Sequence, residues 1–173
     1  DDPSTKVCFK WKDLSVNPPE GKWKYGRARS LGQRNAGDKF DRVSKLLPNM
    51  RGIGAALGKV VSDEGASQNH RDAAAAIAIM ADTGTRIGHI RHLKSSGTRG
   101  ALSLLGKDIR VSKAGVFLEF SGKGGKKNMA EITNPAVAKY LRERVRGADK
   151  DGRLFSCTLR DMEKVRDKAG YAE

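Results

Sequence analysis

The chain has 173 residues, with 34 Lys and Arg against 20 Asp and Glu, a formal charge of +14 and a pI near 10.0. That length suits one good hydrophobic core with a small appendage, and the charge points to polyanionic partners, nucleic acid first and acidic membrane surfaces second. Cys8 and Cys157 match no metal-ligand spacing, no apolar run approaches the roughly 20 residues a membrane span needs, and DDPSTK has no signal-peptide character. The expectation is an intracellular, nucleic-acid-associated monomer with no cofactor and no membrane partner.

Residues 1–32 are rich in Lys, Gly and Pro. Val7, Phe9 and Trp11 alternate with Lys10 and Lys12, and Trp23 and Tyr25 alternate with Lys22 and Lys24, which predicts short strands of a small β element or extended arm. From Asp38, a capping residue, Phe40, Val43, Leu46, Leu47 and Met50 follow helical spacing. Pro48 should end or kink that helix, and a second is predicted from about Asn49 to Val61. The AAAAIAIM run predicts a helix over 69–81, ended by Thr83-Gly84, with a further short helix over 86–94. Strand-like pieces follow at 101–105, 109–112, 116–121 and 128–132, with turns at Gly115 and at Gly122 to Gly125. The connections are too short for crossovers, so pairing should be antiparallel. Asn134-Pro135 is a helix start with cap and N1 proline in register, and Ala136, Val137, Tyr140, Leu141 and Val145 form its buried stripe. Thr158 to Asp161 is a capping arrangement for a last helix ending near Gly170. The predicted fold is α+β, mainly helical with a small antiparallel sheet, divided into residues 1–32 and 33–173.

Arg86 is the first candidate for chemistry. A guanidinium stays protonated and offers a rigid fork of donors to phosphate oxygens, so it can stabilise charge in phosphoryl transfer. The Thr-Gly break places it at a predicted helix start beside His89, Arg91, His92 and Lys94. Lys123, in the Gly-rich turn SGKGGKKN, is the second. Held near another cation, its pKa should fall and favour proton donation to a leaving oxygen. Either residue could instead be an ordinary surface cation, as could Lys126 and Lys127. GKGGKK lacks the Walker pattern, which disfavours ATP binding. Lys22, Lys24, Arg27, Arg29 and Arg34, interleaved with Trp23 and Tyr25, suit a surface that tracks a nucleic-acid backbone. Clustered carboxylates for two-metal chemistry and a G-x-S-x-G nucleophile are both lacking.

The segment TRIGHIRHLKSSGTRGALSLLGKDI resembles the type IB DNA topoisomerases, in their small poxvirus-like and bacterial form: an Arg-x-Gly element, a basic run, then Gly-Thr-x-Gly-Leu-x-x-Leu before a sheet. FLEFSGKGGKK is similar to that family's hairpin strand and lysine, RLFSC to its Leu-Phe element, and KYGRARSLGQRNAGDKFDRV to its hinge and first catalytic helix. The likeness runs from about residue 22 onward. It implies the catalytic fold shared with tyrosine recombinases, duplex DNA as partner, and metal- and nucleotide-independent relaxation of supercoils through a transient 3′-phosphotyrosyl link. Arg86 would hold the scissile phosphate and Lys123 would protonate the 5′ leaving oxygen. Lys22, Tyr25, Arg34, His89, His92, Arg99, Lys126 and Lys127 would lie near DNA.

The family also uses a second arginine, a histidine or lysine, and a tyrosine nucleophile, none of which this sequence matches. No histidine follows His92, Tyr171 lacks the flanking pattern, and Tyr140 falls on an apolar stripe. The resemblance therefore implies a truncated catalytic domain that binds DNA weakly and does not cut it. Two alternatives stand beside it: a tyrosine recombinase catalytic domain, and a basic binder without catalysis. Against the recombinase, SSGTRGALSLLGKDI is longer than that family's corresponding stretch, and His89 or Ile90 fills the position where it wants an acid.

Overall fold

The computed structural model describes residues 9–11, 24–26, 41, 44–45, 47–88, 97–122 and 125–168. The chain forms two compact units, Asp1–Asn49 and Met50–Glu173. In the first, strands β1 (Phe9–Trp11) and β2 (Lys24–Gly26) pair antiparallel, Phe9 opposite Gly26 and Trp11 opposite Lys24. Asp41, Ser44 and Lys45 are helical, and a 3-10 turn at Leu47–Asn49 carries Pro48. The predicted helix start at Asp38 lies outside the described residues, as does the last helix's predicted end at Gly170.

The second unit begins with helices α1 (Met50–Ser62) and α2 (Gln68–Thr83). In α1, Ile53, Leu57 and Val61 recur every four residues and are buried, while Arg51 and Lys59 face solvent. Ala73 to Ala76 and Ile79 of α2 are fully buried. Small side chains let neighbouring helices pack closely there, and α1 and helix α4 (Leu159–Lys168) both lie against α2. Ser67 caps α2, its side chain accepting from the His70 N–H. At the other end Gly84 takes the left-handed conformation (φ 67°), and its N–H reaches the Met80 carbonyl at 3.0 Å.

Strands β3 (Ile109–Ser112), β4 (Gly115–Ser121) and β5 (Lys127–Glu131) form an antiparallel sheet in chain order. Arg110 stands opposite Phe117, and Phe120 opposite Asn128. Val116, Leu118 and Phe120 of central β4 point into the core, while Glu119 points out. Helix α3 (Pro135–Arg146) starts at Asn134, whose side chain accepts from the Ala136 and Val137 N–H groups. Val137, Tyr140 and Leu141 join the core, with Leu154, Phe155, Met162 and Val165 closing it. The result is an α+β fold, mainly helical, with a small antiparallel sheet.

Two expectations are corrected. Residues 101–105 are no strand: Ala101–Ser103 is a 3-10 turn and Leu105 makes a lone bridge to Arg153. All five are buried, so the apolar Ala101, Leu102, Leu104 and Leu105 reflect burial on every side and not a two-sided strand. The predicted helix over 86–94 does not start at Arg86, because residues 84–88 are non-helical; residues 89–94 lie outside the described ones.

Asp72, fully buried on α2, ties the helices together. One of its carboxylate oxygens accepts from Tyr140 Oη (2.6 Å) and Gln68 Nε2 (3.0 Å), with Arg144 Nε at 3.4 Å. The other accepts from the Ser156 N–H (2.8 Å) and Oγ (3.1 Å). A buried carboxylate is tolerable only with such partners, and this one links α2, α3 and the 153–157 loop.

Candidate active site

The site is built where α2 ends. Thr83 Oγ1 bonds back to the Ile79 carbonyl at 2.7 Å and accepts from the Thr85 N–H at 3.2 Å, so the chain leaves the helix in a fixed direction. Arg86 follows, exposed at its side chain but held at its backbone: its carbonyl accepts from the Ala101 N–H, and that of Ile87 from the Leu102 N–H, both at 2.8 Å. This pairing requires two glycines. Gly88 (φ 68°) and Gly100 cross so closely that a Cβ on Gly100 would lie 2.5 Å from the Arg86 carbonyl oxygen and 2.7 Å from Gly88 Cα.

On its other side the same segment meets the sheet. The Arg99 N–H donates to the Ser121 carbonyl at 3.0 Å, at the end of β4. There the chain enters the Gly-rich turn, closed by bonds from the Gly122 N–H to the Lys126 carbonyl (2.9 Å) and from the Gly125 N–H to the Gly122 carbonyl (3.1 Å). Residues 99–102 thus fasten the Arg86 segment to the base of that turn.

Between them lies a cleft of about 210 Å³, lined by Arg86, Arg99 and Lys126 together with Gly84, Gly122, Phe120 and Asn128. Among the described residues, three cations and no carboxylate line it. Arg99 is only 17% exposed at its side chain, and its Nε lies 2.9 Å from Oδ2 of Asp108, an ion-pair contact off the line of a directed hydrogen bond. Asp108 is buried and also accepts from the Leu105 N–H at 2.8 Å. Burial pushes its carboxyl above the ordinary range, while the Leu105 N–H and Arg99 pull it down. A larger cleft of about 570 Å³ shares Arg99 with it, and its walls carry Lys107, Arg110 and Lys150 together with the carboxylates of Asp108 and Glu119.

Of the residues singled out in the sequence, Arg86, Arg99 and Lys126 come together. Lys127 opens β5, exposed and off this lining; Tyr25 belongs to β2 in the other unit. Lys123, Lys22, Arg34, His89 and His92 lie outside the described residues. Sequence reasoning missed Asp108 and Asn128; an acid immediately before a strand and an amide on a hairpin carry no distinguishing pattern. Tyr140 is 3% exposed with its hydroxyl committed to Asp72, and burial, followed by the Asp72 hydrogen bond and charge, pushes the phenol above its usual range. Among the described residues no three His, Cys, Asp or Glu side chains are grouped to hold a metal, and no helix is long and apolar enough to cross a membrane.

The family model for the eukaryotic DNA topoisomerase I catalytic core matches residues 28–166. No curated protein matches the chain. The matched stretch takes in Arg86, the cleft, the whole sheet and most of α4, and carries DNA binding with it. The chain belongs to the DNA topoisomerase I catalytic-core family.

Proposed function

We propose that this chain supplies the phosphate-holding half of a type IB strand-cleavage centre that relaxes supercoiled duplex DNA without metal or nucleotide. A tyrosine oxygen attacks the phosphorus, the bond from phosphorus to the 5′ oxygen breaks, and the 5′ hydroxyl leaves after taking a proton. After the strand has swivelled, the hydroxyl attacks back and releases the tyrosine. Arg86 offers its guanidinium to the non-bridging oxygens, where negative charge grows in the transition state. Lys123 gives the proton to the 5′ oxygen, and like charge from its neighbours would lower its pKa toward that task.

The observation that carries this reading is the shared cleft. Arg86 and both ends of the turn bearing Lys123, Gly122 and Lys126, line one small cationic recess. Tyr140 does not suit the nucleophile's part, being buried and hydrogen bonded to Asp72. With no tyrosine set in the family's nucleophile pattern, the given sequence should bind duplex DNA weakly and leave it uncut. The motif run from Thr85 to Ile109 supports the small poxvirus-like and bacterial form within the family.

The test uses the full-length protein. Lys123→Ala should bind DNA normally and cut slowly, and a 5′-phosphorothiolate substrate, whose leaving group needs no proton, should restore cutting. Absence of rescue removes the acid role. Uniformly weaker binding, with no specific defect in cutting, would favour a non-catalytic binder.

A further inference from the structure

Arg99 stands where the small cleft meets the larger one, and it lines both. Were its task only to balance Asp108, placing it beside Arg86 and Lys126 would add repulsion that no other described residue on that lining offsets. Asp108 compensates one charge; an anion in the recess relieves the rest. The arginine is also unusually fixed. Its backbone N–H is bonded to Ser121, its Nε edge faces a carboxylate that is itself held by the Leu105 N–H, and its side chain is mostly covered. An arginine paired at its Nε edge and set on the lining of a cationic recess is preorganised for an oxyanion. Beyond it, on the wall of the larger cleft, Lys150 has no carboxylate partner among the described residues.

Resting on the strand-cleavage reading, we infer that Arg99, positioned by Asp108, binds the DNA phosphate next to the one at Arg86 and leads that strand from the small cleft into the larger one toward Lys150. Arg99 is a positioning residue in this scheme: it fixes the register of the strand and leaves the reacting phosphorus to Arg86.

The test uses full-length protein carrying Arg99→Gln together with Asp108→Asn, which removes both charges at once and orphans no buried ion. Net charge is unchanged, so a purely structural pair would leave the salt dependence of duplex binding as it was. The inference requires the slope of log affinity against log salt to flatten by about 0.9, the value for one lost phosphate contact. In parallel, duplexes with a single neutral methylphosphonate at each position are cut by both proteins. The wild type should be inhibited by a neutral linkage beside the scissile phosphate, and the double variant should be indifferent there. An unchanged slope overturns the inference, and so does a double variant that stays equally sensitive at that position. If the wild-type protein cuts nothing, the strand-cleavage reading fails by itself, while the salt slope still decides whether Arg99 holds a phosphate. Thermal unfolding of the double variant confirms that both measurements are made on folded protein.

Discussion

Gly100→Ala tests whether the backbone crossing at Gly88 and Gly100 is what places Arg86. The added Cβ would sit 2.5 Å from the Arg86 carbonyl oxygen, where ordinary contact begins at 3.4 Å, so the two segments must part by about 0.9 Å. That displacement would carry the 2.8 Å bonds from Ala101 to Arg86 and from Leu102 to Ile87 beyond hydrogen-bonding range. No flexible side chain can give way, because every close atom is backbone. Overpacking of this kind costs about 1–3 kcal/mol. For a chain of this size that lowers the melting temperature by roughly 2–4 °C per kcal/mol. A shift near 1 Å at a phosphate-holding guanidinium should slow strand cutting about 100-fold. Cutting would be followed with a labelled duplex and full-length protein, affinity by fluorescence anisotropy, and stability by thermal unfolding. Affinity should change little, since Lys126 and the other cations stay in place. Wild-type cutting and an unshifted melting temperature together would refute the argument that this crossing sets the arginine.

Two further perturbations address the framework. Tyr140→Phe removes one donor from the buried Asp72 carboxylate and should lower stability by about 1.5–3 kcal/mol, measured by urea unfolding; a neutral result would mean the hydroxyl adds nothing to that cluster. Thr158 and Asp161 cap α4 reciprocally, through bonds from Thr158 Oγ1 (2.7 Å) and N–H (2.8 Å) to the carboxylate and from the Asp161 N–H back to Thr158 Oγ1 (3.3 Å). Thr158→Ala should cost about 0.5–2 kcal/mol. The hydroxyl and N–H of Thr158 hold the Asp161 carboxyl below its ordinary 3.8. A depressed acid pKa gives stability that is fully present above 3.8 and is lost as pH falls through the folded value. Asp161→Asn should accordingly flatten the acid limb of the stability profile below pH 4, and an unaltered limb would contradict the capping role.

Much of the fold could be read locally. The alanine run and Gly84 marked both the body and the end of α2, Asn134-Pro135 marked the start of α3, and glycines separated the three strands that pair antiparallel. These signals depend on backbone propensity and on burial of one face, both of which act over a few residues. What escaped prediction depends on distant partners. The 101–105 stretch looks like a strand until its burial on all sides is known. Arg86 looks like a helix start until Gly100, fourteen residues further on, is found against Gly88. Asp72 and Asp108 look like ordinary polar residues, and only assembly shows each enclosed among donors. The cationic character of the site was visible in composition, whereas the sharing of Arg99 between two clefts was not.

The alanine wall of α2 also sets the direction in which the central helix can change. Nothing remains to be trimmed from Ala73 to Ala76, so the cavities that usually accompany core mutation hardly arise there. Enlargement is the danger: one extra methyl wedges α1 or α4 outward. Variation at these four positions should thus be confined to glycine, alanine and serine, while the bulkier partners facing them remain free to exchange volume among themselves.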